Sequence, residues 1–479
     1  MQNKETVVII GAGPVGIAAA AQLIERGLKP IVLEKGQTVG TAMLEWGHVR
    51  VFTPWKFLVD TAVEKLLLKT SWSYPDKEHM PTGREIVEQY LMPAATQTAL
   101  ASTIIYGTEV IAVAKTHLSK SSTAGRDDAA YTVHFKTNDG HYNSIEAAAV
   151  IDASGTWHSP NPIGLDGLPV PGERENKAFI QYGIPDVRNK QKDDYAGKRT
   201  LVLGGGHSAI NVVLDLLKLQ QDSADTQIHW GLRSINIEKL LGGGINDQLP
   251  ARGELGQAAK RAIDSGALSL LTPLKVHSIT RAPSGLSVQI SVDDDVASDI
   301  ESIEVDRIIV CAGFRPDLDI LRELRLDIDE IVEAPTALAP LIDPNLHSCC
   351  SVKPHGVEEL THHDKNFFIV GMKAYGRAPT FLMLTGYEQV RSIAAELAGD
   401  HEAARRVELV LPQTGVCSTK GKSPASSACC EPASPEPASC CGTSTTTAST
   451  EPPLKATSSC CDPTHSAVPA PKKTTSCCG

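Results

Sequence analysis

The sequence predicts an α/β fold of two doubly wound Rossmann-type domains, the second inserted into the first, with a disordered C-terminal tail. Three observations carry this prediction. A glycine fingerprint, Gly11-Ala12-Gly13-Pro14-Val15-Gly16, directly follows a short apolar run. A second, Gly204-Gly205-Gly206-His207-Ser208-Ala209, follows another apolar run about two hundred residues later. From residue 412 onward Ser, Thr, Pro, Ala and Cys dominate, and Phe, Trp, Tyr and Ile are absent. Such a segment cannot bury enough apolar surface to offset its ordering entropy.

The elements follow in order. Val7–Ile10 reads as a buried parallel strand, and Ile17–Arg26 as an Ala-rich helix that Gly27 terminates. Ile31–Leu33 is the next strand. Residues 41–105, with Trp46, Trp55, Trp72 and several prolines, read as an irregular insertion of helices and loops. Ala147–Ile151 is a further buried strand, which Asp152 ends and Ala153-Ser154-Gly155 turns. The second module opens near Lys198 with the strand Thr200–Leu203. Its helix, Ala209–Gln220, carries Ile210, Val213, Leu214 and Leu217 at helical spacing. Ile228–Trp230 is its next strand, and Arg307–Gly313 returns the chain to the first domain. Phe367–Gly371 is a late strand and Thr385–Leu397 a closing helix. The expected domains are 1–160, 161–310 and 311–411, with the tail at 412–479.

Bulk properties exclude several classes. With 45 basic and 56 acidic residues the net charge is −11, which leaves no basic excess for nucleic acid. No run of eighteen apolar residues occurs. Met1–Thr6 leads straight into a strand, where no signal peptide fits, so a cytoplasmic location is expected. The 12 cysteines are then expected to be thiols.

The first fingerprint divides its labour. Gly11 permits a tight turn, Gly13 a close approach to a pyrophosphate, and Gly16 tight helix–strand packing. The helix N-terminus offers free N–H groups and a partial positive charge. Glu34, 23 residues after Gly11, stands where a carboxylate accepts ribose hydroxyls. In the second fingerprint Ala209 replaces the third glycine. Alignment of the second strands puts Gly231 opposite Glu34, so the ribose acid is missing. Arg233 suits the extra phosphate of NADP; a plain surface arginine is the other reading. His207 reads as a backbone-region contact. Two dinucleotide sites in one chain point to electron transfer between a flavin and a nicotinamide.

These residues resemble the two-dinucleotide-binding-domain flavoproteins, with FAD in the first domain and NADPH, or NADH, in the second. Asp152-Ala153-Ser154-Gly155-Thr156-Trp157 and Cys311-Ala312-Gly313-Phe314-Arg315-Pro316 are similar to that family's paired crossover. Gly371–Thr380 is similar to its C-terminal flavin-contact segment, and Tyr74-Pro75 and Tyr90-Leu91 to flavin monooxygenase positions. The resemblance implies flavin contacts at Lys35, Val110, Ala153, Gly155 and Gly371, and candidate catalytic positions at Lys373, Tyr375 and Arg377. No CxxC or CxxxxC pair exists, which removes the dithiol relay of the reductase branch and favours the monooxygenase branch. The Phe-x-Gly-x-x-x-His segment of that branch maps onto Phe179–Val187, which has no histidine. Oxygenation, oxidation and reduction therefore all stay open. His347–Gly356 and Gly371–Thr380 resemble the FAD-dependent oxidoreductases of bacterial arsenic-resistance operons.

Nine of the 12 cysteines follow residue 412, eight of them in the adjacent pairs Cys429-Cys430, Cys440-Cys441, Cys460-Cys461 and Cys477-Cys478. Adjacent cysteines make strained staples but good soft-ligand clusters. They are candidates for binding trivalent arsenic or a soft metal; a low-complexity tail without a role is the alternative. Cys349 and Cys350 are candidates for holding a thiophilic substrate near the flavin, or are ordinary loop thiols. Cys311 reads as core packing. The expected activity is an NADPH-consuming flavin oxidase or monooxygenase acting on a trivalent arsenical, with dioxygen as co-substrate. A monooxygenase of an organic amine or sulfide and a thiol-rich sequestering flavoprotein are the alternatives.

Overall fold

A computed structural model describes residues 6–234, 250–292, 299–346, 354–378 and 381–409. All of them lie in one compact unit, Met1–Gly421. The eight tail cysteines, Cys349 and Cys350 fall outside the described residues.

The chain opens with β1 (Thr6–Ile10), buried at every position. Helix α1 (Pro14–Glu25) follows, with proline in the first turn, where its missing N–H costs nothing. Next comes β2 (Lys29–Leu33). Short helices fill the following stretch, among them α2 (Thr41–Glu45) and α3 (Thr61–Leu67). Asp60 caps α3 by accepting from the Ala62 and Val63 N–H groups. A two-residue strand, β3 (Ile104–Ile105), precedes an antiparallel sheet of β4 (Thr108–Lys115), β5 (Tyr131–Thr137) and β6 (Tyr142–Ala147). The chain then re-enters the first sheet as β7 (Ala149–Asp152).

The second module runs through β8 (Ile180–Tyr182), β9 (Arg199–Leu203), α4 (His207–Asp222), β10 (Gln227–Gly231), α5 (Pro250–Asp264) and β11 (Ser269–Leu271). A second antiparallel sheet of β12 (Leu274–Ala282), β13 (Gly285–Val292) and β14 (Glu301–Val305) precedes β15 (Arg307–Val310). The chain returns to the first sheet as β16 (Phe367–Ile369) and closes on α6 (Met383–Leu397).

The two parallel sheets have the orders β16-β7-β1-β2-β3 and β11-β10-β9-β15-β8. The second lies, in sequence, between β7 and β16 of the first, so it is an insertion. Strands buried on both faces need continuous apolar runs, and Val7–Ile10, Leu201–Leu203 and Ile308–Val310 supply them.

Some boundaries differ from expectation. Ala147 ends β6, and β7 starts at Ala149. The returning segment Arg307–Gly313 is a strand only as far as Val310, because Cys311–Gly313 enters the crossover. Neither antiparallel sheet was expected.

Candidate active site

The glycines of the first fingerprint meet distinct surroundings. Gly11 has φ +95°, and a Cβ there would lie 2.9 Å from the Ala153 carbonyl. A Cβ on Gly16 would lie 2.0 Å from the Gly11 carbonyl oxygen, whereas one on Gly13 meets nothing within 4 Å. No side chain caps α1 at Gly13. Open space over bare backbone N–H groups fits a diphosphate. Glu34 is buried; Oε2 accepts from the Ala12 N–H at 2.7 Å and Oε1 from the Gly36 N–H at 2.8 Å. Its carboxylate thus braces the loop and keeps lone pairs for a hydroxyl ligand. Lys35 pairs with Glu109 at 2.6 Å on the surface, and Val110 packs on the core at a β-bulge.

On the other side of β1, Asp152 ends β7. Its Oδ2 meets Lys373 Nζ at 2.7 Å, with both side chains buried. Lys373 also donates to Ser154 Oγ at 3.1 Å, and Asp152 Oδ1 accepts from the Ser154 N–H at 3.1 Å. The Ala153–Gly155 turn therefore lies between this pair and Gly11. The Gly371 N–H donates to Gln389 Oε1, and α6 meets α1 where a Cβ on Gly386 would lie 2.7 Å from Val15 Cγ2. Of the catalytic candidates, Lys373 is engaged in this pair. Tyr375 is buried against Phe381 and His355, and burial raises its phenol above the usual range. Arg377 forms a surface pair with Glu333 at 2.8 Å. Among the described residues, no group of His, Cys, Asp and Glu could hold a metal ion.

The second fingerprint repeats the first. Gly204 has φ +139°, and a Cβ there would lie 2.4 Å from the Cys311 carbonyl. Gly206 faces open space at the uncapped start of α4, Ala209 is fully buried, and Ser208 lies in the first turn. The His207 ring lies 5.2 Å from that of Phe52. Trp230 donates to the Gly204 carbonyl at 2.9 Å and fixes the turn. One expectation needs correction. The Gly204 N–H donates to the Gly231 carbonyl as the Gly11 N–H does to that of Leu33. Gly231 therefore matches Leu33, and Leu232 occupies the place of Glu34. The acid is absent as expected, but one residue later. Gly231 is glycine for another reason: a Cβ would lie 2.3 Å from Leu274 Cδ2. Arg233 is exposed, beside the place of the missing acid.

The two crossovers pair. Pro160 and Phe314 form an antiparallel bridge, the Asn161 N–H donates to Gly313, and the Arg315 N–H to Ser159. Trp157 packs on Phe314 at 4.9 Å and donates to Glu45 Oε2 at 2.7 Å, while His158 meets Glu45 Oε1 at 2.9 Å. The glycine of the Phe179–Val187 segment is used against Trp157: a Cβ on Gly183 would lie 2.8 Å from its Cη2. Cys311 is buried with Sγ 3.2 Å from the Gly183 carbonyl, and burial pushes its thiol up to about 12. Asp152, Ser154, Gln389, Trp230 and Glu45 belong to the site without having been expected there. Each acts through a partner distant in sequence.

A family model for pyridine nucleotide-disulphide oxidoreductases matches residues 8–348. The chain belongs to this family. The flavin-containing monooxygenase ustF1 of Aspergillus flavus is 26% identical over 221 residues, 44% of this chain and 50% of that protein. The ferredoxin–NADP reductase of Paramagnetospirillum magneticum is 23% identical over 329 residues, 68% of this chain and 78% of the reductase. The chain thus spans half the length of the monooxygenase it matches. The bacillithiol disulfide reductase YpdA of Bacillus cereus superposes with a TM-score of 0.60 at 20% identity, covering 82% of this chain and 99% of that one. The cadaverine monooxygenase DfoA of Erwinia amylovora gives 0.58 at 14% identity, covering 86% and 99%. The chain has the two-domain FAD/NAD(P) oxidoreductase fold. No helix among the described residues is long and apolar enough to cross a membrane.

Proposed function

We propose that this chain is an FAD-dependent, NADPH-consuming oxidoreductase of the monooxygenase type. Residues 1–160 and 311–411 would form the FAD module and 161–310 the NADP module. The observation that carries the reading is the matched pair of open, uncapped glycine turns, at Gly13 and Gly206, on two parallel sheets joined by one crossover ribbon. FAD, when bound, takes two electrons from a nicotinamide and returns them to dioxygen or another acceptor.

The chain's own residues bind and orient. The N–H groups at the start of α1 hold the FAD diphosphate over Gly13, and Glu34 accepts the ribose hydroxyls. The start of α4 does the same for NADPH over Gly206. Leu232 in place of an acid removes a charge that would repel the 2′-phosphate, and Arg233 supplies one that attracts it. Lys373 and Asp152 fix the turn beside Gly11. With no CxxC or CxxxxC pair in the sequence, no dithiol relay of the usual spacing is available, which favours oxygen chemistry.

As substrate we propose a trivalent arsenical. What supports this is chemical: eight cysteines in four adjacent pairs form a soft-ligand reservoir on the same chain. The balanced reaction consumes one NADPH, one proton and one dioxygen. One oxygen atom goes to the arsenic, oxidised from trivalent to pentavalent, and the other leaves as water. The test is NADPH oxidation with and without a trivalent arsenical, with hydrogen peroxide followed alongside. Stimulation with little peroxide supports the reading. Unstimulated turnover ending in peroxide refutes the arsenical and points to an organic amine or sulfide. No turnover at all points to sequestration.

A further inference from the structure

Gly371 begins the turn after β16, and its N–H donates to Gln389 Oε1 at 2.7 Å. Gln389 Nε2 lies 2.8 Å from His355 Nε2. Both side chains are buried, Gln389 fully. A backbone N–H can only donate, so the amide oxygen must face Gly371 and the amide NH2 must face His355. That NH2 can only donate in turn, so His355 accepts at Nε2 and carries its proton on Nδ1. The chain of bonds therefore has one direction: His355 fixes the amide, and the amide fixes the Gly371 peptide.

The peptide so fixed sits at a crowded place. A Cβ on Gly371 would lie 3.3 Å from Val15 Cγ2, and one on Gly386, a turn before Gln389 on α6, would lie 2.7 Å from the same atom. Val15 is the second residue of α1, two beyond Gly13. The bonded chain, α6 and the first fingerprint thus converge on one side chain.

We propose that His355 and Gln389 are positioning residues for the dinucleotide seat of the first sheet. They hold the Gly371 turn against Val15 and so set how the N-terminal ends of α1 and α6 meet. Neither is a catalytic residue; both act through the backbone. The proposal rests on the FAD reading above.

The experiment uses the full-length holoenzyme. FAD release on dilution is followed by the fluorescence of the freed cofactor, and the visible flavin spectrum is recorded before dilution. Gln389→Leu leaves the Gly371 N–H buried without an acceptor, and release should be roughly tenfold faster, with a shifted spectrum. Gln389→Glu keeps the acceptor and should stay within about threefold of wild type. His355→Phe frees the amide to rotate and should speed release, whereas His355→Gln offers an acceptor and should restore it. Wild-type release rates and unshifted spectra in both Gln389→Leu and His355→Phe, with a lower melting temperature, would overturn the proposal and leave a packing role. Should Gln389→Leu fail to fold, the His355 pair decides alone. If the wild type binds no FAD, the FAD reading itself fails and takes this one with it.

Discussion

Lys373 Nζ and Asp152 Oδ2 lie 2.7 Å apart, at 1% and 0% exposure, and so join the turn after β16 to the end of β7. A sealed ion pair is maintained only if both partners are present. Lys373→Met should cost about 3–5 kcal/mol, because it strands a buried carboxylate. The double variant Lys373→Met with Asp152→Leu should recover much of that loss. Denaturant unfolding checks both; additive losses would mean that the two side chains are not coupled.

Gly13 and Gly16 should fail in different ways. A Cβ on Gly16 would press 2.0 Å from the Gly11 carbonyl, so Gly16→Ala should destabilise the protein outright. A Cβ on Gly13 meets only open space, so Gly13→Ala should fold normally and lose flavin. The melting temperature of the apoprotein and the FAD content after gel filtration separate the two. A yellow, fully loaded Gly13→Ala protein would show that no diphosphate lies there.

Cofactor choice should follow Leu232 and Arg233. Arg233→Ala should lower kcat/KM for NADPH about tenfold, or about 1.4 kcal/mol, and leave NADH nearly unchanged. Leu232→Glu should further favour NADH by restoring a ribose acceptor. Equal losses with both nucleotides would assign Arg233 to general surface charge.

His362 should govern part of the acid sensitivity. Burial pushes its imidazole down to about 4 from an ordinary 6.5, while its Nδ1 faces the Asp327 N–H at 3.2 Å. The unfolded chain then binds the extra proton first. The stabilisation is complete above about pH 6.5 and is lost as the pH falls towards 4, at up to about 1.4 kcal/mol per pH unit. Asp60, raised by burial to about 6, runs the other way: its contribution is lost as the pH rises from 3.8 to about 6. The difference between wild type and His362→Asn therefore isolates the histidine. The variant should unfold with a shallower acid slope, and an unchanged slope would rule the histidine out.

The parts of the fold that depend on a local backbone requirement were legible in the sequence. Gly11 and Gly204 need conformations that side chains disfavour, and they announced both turns. The buried parallel strands were legible as continuous apolar runs. Strand β13 went unread although it alternates Leu286, Val288 and Ile290, and β6 is largely exposed and carries no such pattern. Register was not legible. Gly231 looked like the vacant acid position because strand ends cannot be aligned without their hydrogen bonds, and those put Leu232 there. Lys373 was a catalytic candidate by resemblance alone, and its pairing was not legible because its partner Asp152 lies 221 residues away.

The most direct test of the two-cofactor account is anaerobic mixing of the purified protein with NADPH while the flavin absorbance is followed. The account predicts a yellow protein whose flavin bleaches in a saturable phase, faster with NADPH than with NADH, with an Arg233→Ala variant losing that preference. A protein that holds FAD but is not reduced by either nucleotide would contradict it.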